Sequence, residues 1–296
     1  MKEFMKIILF TCTIIYFTLS AAVLAQKDMK AYSSCSLCGM KLDHSRNRML
    51  IEYDDGTKLY TCSMHCTAGE FAAHREKTLK GLQVSDYNTN RLIDAKKAYW
   101  VVGGNKSGIM TKRAKWAFEK KEGAEQFIKA NRGQISTFDE AMKATFEDMH
   151  TCIKITHKKN GATPITMEDT ENFPECKYCG MNRHQYVYSR AFVIYDDGTT
   201  VGTCSIHCAA IDLAVNMNKP VRSVMIADYN TKKLIDAEKA FWVIGGEKSG
   251  VMTKRAKWAF EEKKDAEQFI KANRGQISTF DEAMKTTFED MYEILR

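Results

Sequence analysis

The stretch EQFIKANRGQISTFDEAMK occupies residues 125–143 and returns, letter for letter, at residues 267–285. A spacing of 142 residues is far longer than the roughly 20–50-residue period of a solenoid, so it marks a duplicated domain. Working outward, DYNTNRLIDAKKAYWVVGG (86–104) answers DYNTKKLIDAEKAFWVIGG (228–246), and KLYTCSMHC (58–66) answers TVGTCSIHC (200–208). The domains span residues 33–149 and 174–296, and residues 150–173 between them are polar, without helical periodicity, and read as a linker.

Local signals within each copy alternate strand and helix. MLIEYDDGTKLYT carries Asp55-Gly56 between two β-rich runs and predicts a hairpin. CSMHCTAGEFAAHRE has helical spacing, and LQVSDYN and KAYWVVGG read as further strands. GAEQFIKANRG predicts a helix ended by Gly133. Thr137, with Glu140 three residues later, predicts a capping box opening a last helix. The fold class is α+β, in two tandem homologous domains.

The chain of 296 residues suffices for two ordinary domains, each with its own core. Hydrophobic content of 44% and charged content of 27% are those of a globular protein. The net charge of +7 is spread thinly, and segments such as KRAKWAFEKKEGAEQF read as solvated helix faces. With no basic stripe interleaved with aromatics, a nucleic-acid partner is excluded. Residues 1–26 pair Lys2 and Lys6 with the apolar run IILFTCTIIYFTLSAAVLA and end on Val23-Leu24-Ala25. This predicts a Sec-type export signal, or an N-terminal membrane anchor if it stays uncleaved, and a periplasmic or extracytoplasmic location. No lipid-attachment cysteine follows it.

Chemistry concentrates in the cysteines. Beyond Cys12, inside the apolar run, eight of nine fall into two sets of four, leaving Cys152 between them. Cys35 and Cys38 are spaced C-x2-C in CSLCGM, and Cys62 and Cys66 follow C-x3-C with His65 between them. The second copy repeats this with Cys176, Cys179, Cys204, His207 and Cys208. If a helix opens at residue 62, Cys62, His65 and Cys66 share one face. Two thiol pairs around a hairpin give a treble-clef-like or zinc-ribbon layout, suited to Zn(II). Two disulfides per copy are the other reading open to an exported chain.

Further sulfur shifts the choice of ion. Met40 and Met181 directly follow the knuckles, and Met110 and Met252 lie in SGIMTKR and SGVMTKR. Thioethers are poor zinc ligands and good Cu(I) ligands. His44 and His184 lie near the knuckles and extend the candidate ligand set, whereas His74, His150 and His157 have no counterpart in the second copy. Met142, Met149, Met284, Met291 and the four tryptophans read as core. No P-loop, dinucleotide fingerprint or nucleophile elbow is present, and the C-x2-C pairs do not open a thioredoxin-type unit, so no enzyme activity is expected.

Taken together, CSLCGM, YDDG, Cys66, DYNTNRLIDAKKAYWVVGG, SGIMTK, KWAFE and RGQISTFDEA resemble the pattern of the NosL family, accessory proteins of nitrous oxide reductase. Each recurs in the second copy, so the resemblance covers nearly all of the chain after the export signal, twice. It implies small ββαβ-type modules and Cu(I) delivery to a periplasmic client copper protein such as nitrous oxide reductase, or to its maturation machinery. It also implies copper ligation by Cys38, Met40, Cys179 and Met181, with Met110 and Met252 as further ligands. The tandem arrangement and the embedded Cys-x3-Cys pair depart from the family pattern and leave room for a structural Zn(II), so an adaptor protein stabilised by zinc is the alternative reading and a dithiol-disulfide oxidoreductase the third.

Overall fold

The computed structural model describes residues 33–43, 45–153, 155 and 169–294. In the first repeat the knuckle at residues 35–40 precedes strands β1 (Met49–Tyr53) and β2 (Lys58–Thr61), then helix α1 (Met64–Ala73). The hairpin turns at Gly56, whose φ of 84° a side chain would disfavour. β3 (Leu79–Ser85) and β4 (Leu92–Asp94) complete a sheet of order β2-β1-β3-β4. A second sheet, of order β6-β5-β7, is built from β5 (Tyr99–Val102), β6 (Lys115–Phe118) and β7 (Gln134–Ser136). Helix α2 (Lys121–Asn131) lies against it, and α3 (Phe138–Cys152) closes the repeat.

After a short helix α4 (Asp169–Asn172), the second repeat retraces this order. Its first sheet contains β8 (Ala191–Tyr195), β9 (Thr200–Thr203), β10 (Val221–Ala227) and β11 (Leu234–Asp236), with α5 (Ile206–Val215) after β9. Its second sheet contains β12 (Phe241–Ile244), β13 (Lys257–Phe260) and β14 (Gln276–Ser278), with helices α6 (Lys263–Asn273) and α7 (Phe280–Ile294). Knuckle, hairpin and helix in succession make the treble-clef arrangement, and the mixed α+β class holds in both halves. The capping box on α3 forms as expected: Glu140 N–H donates to Thr137 Oγ1 at 3.2 Å, and Thr137 N–H to the Glu140 carboxylate at 2.7 Å.

Three expectations need correction. KRAKWAFE is not a solvated helix face: residues 115–118 form β6, and all four are buried. Lys115 is tolerated there because Asp148 accepts from it at 2.6 Å. The linker begins later than residue 150, since α3 runs to Cys152, and it ends earlier, since Asp169 is buried against Arg183 and Arg190. The two repeats also do not have separate cores. Met49, Trp100, Met142 and Met149 share one continuous apolar cluster with Val193, Trp242, Met284 and Met291. Helix pairs α1–α5 and α3–α7 form that junction. All ten residues of α1 are buried, because its own sheet covers one side and the other repeat covers the next. A helix buried around its whole circumference is a central helix.

Candidate metal centres

Each knuckle is a tight turn in which Cys35 N–H donates to Met40 O at 2.7 Å and Gly39 N–H to Cys35 O at 2.9 Å. Gly39 and Gly180 have φ of 74° and 68°, which explains the glycine in both CGM motifs. The N–H groups of Cys38 and Met40 then point at the sulfurs of Cys35 and Cys38. From the opposite side, Cys62 ends the hairpin and Cys66 lies in the first turn of α1, where unpaired N–H groups favour anionic sulfur.

Four sulfurs therefore converge in each repeat, all within 4.8 Å of one another. Cys38–Cys62 and Cys62–Cys66 are separated by 3.7 and 3.5 Å. In the second repeat Cys179–Cys204, Cys204–Cys208 and Cys208–Cys179 are separated by 3.6, 3.8 and 3.7 Å. A tetrahedron with metal–sulfur bonds of about 2.3 Å has edges of about 3.8 Å. The sulfurs thus already hold metal-site spacing. A disulfide would bring two of them to about 2.05 Å, and every described cysteine is free.

Protonation leads to the same conclusion. Cys35 is held far below the usual thiol range by hydrogen bonds from Cys38, then Cys62 and Cys66. Cys66 is pushed well up because it donates to that thiolate and is buried. The second cluster behaves alike, with Cys176 low and Cys208 high. Cys38 and Cys179 are lowered as well, since the neighbouring Cys35 and Cys176 raise them less than the other two thiols lower them, and ionising all four in so small a volume requires a cation.

The NosL family model matches residues 26–146 and again residues 164–288. The chain belongs to the NosL family. A search of the solved structures finds the copper chaperone NosL from Shewanella denitrificans, at 25% identity and a TM-score of 0.32. That match covers 36% of this chain and 87% of the other. No curated protein matches.

Within these NosL repeats the thioethers occupy unequal places. Met110 Sδ lies 3.8 Å from Cys66 Sγ, and Met252 is half-buried against the core cluster that includes Cys176, Cys204, Cys208, Val251 and Trp258. Both take left-handed backbone, with φ of 50° and 58°, a conformation few methionines adopt. Met40 follows its knuckle but is 41% exposed, whereas Met181 is half-buried against the core cluster of its repeat.

The histidines lie elsewhere. α1 starts at Met64, after Cys62, so the helical phase that would align Cys62 with His65 does not apply. His65 turns away from the sulfurs, and its Nε2 donates to Ala214 O of the other repeat at 3.0 Å. His207 Nε2 donates to Ala72 O at 2.9 Å, completing a reciprocal pair across the junction. Burial pushes both imidazoles down to about 4, so they are neutral. Neither joins the thiol groups. His184 is exposed, its backbone N–H held by Asn182, and His44 lies outside the described residues.

Sequence reasoning missed the group that holds the methionine loop. Asp148 accepts from Thr111 Oγ1 at 3.0 Å, Arg113 N–H at 3.1 Å, Arg113 Nε at 2.8 Å and Lys115 Nζ at 2.6 Å. Asp290 takes the same four donors from Thr253, Arg255 and Lys257. Burial alone would raise Asp290, but the Lys257 ammonium overrides it and holds the carboxyl below the usual range. Burial in turn brings Lys257 down to about 8. The signal was present: TKRAKWAF and FEDM occur unchanged in both repeats.

Proposed function

We propose that this chain is an exported copper chaperone that binds Cu(I) in each repeat and passes it to a client copper protein such as nitrous oxide reductase, or to the machinery that matures it. The observation that carries this reading is the thioether of Met110, 3.8 Å from a thiol of a four-cysteine cluster. Thiolate and thioether together favour Cu(I), which accepts soft sulfur in low coordination numbers. Membership of the NosL family agrees with it. In this reading the buried thiols Cys35, Cys62 and Cys66 hold the ion, and the half-exposed Cys38 is the sulfur a partner displaces. Residues 1–26 would export the chain or tether it to the membrane.

A second reading is favoured by the sulfur spacing itself. Edges of 3.5 to 3.8 Å suit a closed tetrahedral Zn(II) site that stabilises the treble clef. Metal analysis of protein purified under reducing conditions, followed by competition with a Cu(I) chelator, separates the two. Copper delivery predicts two Cu(I) per chain and weaker binding in Met110→Leu and Met252→Leu. Two zinc ions that resist Cu(I), and no effect of either substitution, would establish the structural reading instead.

A further inference from the structure

The two sites use the same arrangement of four thiols but are flanked by different loops. Between Met40 and Ser45, whose Oγ donates to Cys62 O at 3.0 Å, the first repeat has four residues. Between Met181 and Ser189, whose Oγ donates to Cys204 O at 2.9 Å, the second has seven. The longer loop carries Tyr186 and Tyr188, both half-buried against the cluster containing Cys176, Cys204 and Cys208. The Tyr188 ring lies 5.8 Å from Trp258, so the cover continues into the aromatic core of the repeat.

In the first repeat Leu37, Tyr60, Ile109 and Met110 are half-buried against the thiols, and among the described residues the loop after the knuckle adds only Leu42. Leu42 is buried with Cys35, Cys62 and Cys66, where the second repeat's loop instead brings two tyrosines to the core around Trp258. Arg46 lies over Tyr87 at 5.4 Å, on the aromatic group whose counterpart contacts Tyr188. Tyr178 ties the second knuckle to α5 through a 2.7 Å hydrogen bond to Asp212, whereas apolar Leu37 stands at that point of the first knuckle. Met40 is exposed where Met181 is packed, and Ile109 is half-buried where Val251 is buried.

An incoming sulfur must reach the ion before the original ligands have left, so cover decides the rate. A covered site exchanges only through local opening, and packed aromatics and an anchored knuckle make opening costly. We propose that the first repeat is the exchange site, from which metal leaves for a partner, and that the second is a retaining site. This rests on the copper reading above. In the transfer step a partner thiolate or thioether bonds to Cu(I) as the bond to Cys38 breaks. Copper stays Cu(I), and the released Cys38 thiolate takes a proton from solvent, so no oxidant or reductant takes part.

The test loads the reduced full chain with two equivalents of Cu(I) and follows transfer to an excess of bathocuproine disulfonate by stopped flow. Two phases are expected, differing by about tenfold or more. Cys38→Ser should remove the fast phase and Cys179→Ser the slow one. Tyr186→Ser with Tyr188→Ser, which leaves all eight thiols in place, should accelerate the slow phase towards the fast one. In the metal-free protein, mass-mapped alkylation should modify Cys38 before Cys179. A single phase, or a fast phase lost with Cys179→Ser, would overturn the assignment while leaving copper binding intact. Failure to take up two Cu(I) would overturn the copper reading, and the proposal with it.

Discussion

The identical C-terminal parts of the two repeats contrast with the divergent loops after their knuckles. EQFIKANRGQISTFDEAMK is duplicated without change, and so are TKRAKWAF and FEDM, the segments that fix the methionine loop to Asp148 and Asp290. KLDHSRNR and NRHQYVYSR share almost nothing, although each leads from the same CGM motif into the same strand. Groups that hold the methionine loop in place are therefore kept in duplicate, and the loops that follow the knuckles differ. Sulfur geometry is common to the two sites, and the loops after the knuckles are what distinguish them.

The largest expected effect tests the shared part. Asp290→Ala leaves Lys257 buried without its counter-ion and should cost about 3–5 kcal/mol in urea unfolding. Asp148→Ala should cost nearly as much, because Lys115 is enclosed almost as fully. The continuous core requires either loss to appear in one cooperative transition of the whole chain. Two separate transitions would show that the repeats fold independently.

Next in size is the junction. His65→Ala and His207→Ala each strand a buried carbonyl of the other repeat and should destabilise by about 2 kcal/mol. Metal stoichiometry by elemental analysis should not change, and a lost ion would return these histidines to the ligand set. A smaller effect is expected from Met110→Leu, which keeps the volume but removes the thioether beside Cys66. Cu(I) affinity should fall about tenfold, or about 1.4 kcal/mol. Met40→Leu, at an exposed position, should change affinity less and release rate more.

The smallest effect is a pH dependence found in one repeat. His74 is raised above its usual value chiefly by its hydrogen bond to Glu70, while Asn216 closes the corresponding helix of the second repeat. The folded value lies above the unfolded one. The stabilisation is therefore complete below about pH 6.5 and fades as pH rises through the folded value. Comparing His74→Asn with the parent between about pH 5 and 8 should show a difference under about 1 kcal/mol, confined to the acid side.

Much of the site was legible in the letters. C-x2-C and C-x3-C around a D-G hairpin mark out the eight thiols that converge, four in each repeat. The capping box at Thr137 and Glu140 was equally local and formed as read. KWAF was not legible: a strand that buries Lys115 looks like a solvated face until its carboxylate, 33 residues away, is in place. His65 was misplaced for a related reason. Its position between two ligating cysteines suggests a ligand, but its hydrogen-bond partner lies 149 residues further on, in another repeat.

By itself, the sequence determined the duplication, the four thiols of each copy and the hairpin that joins their pairs, all set by spacing over short distances. Only the tertiary structure decided that the repeats share one core, that the histidines bind the halves together, and that Tyr186 and Tyr188 of the second post-knuckle loop pack against the core of their repeat. Those features depend on which surfaces meet, and burial and hydrogen bonding between distant segments leave no period in the chain.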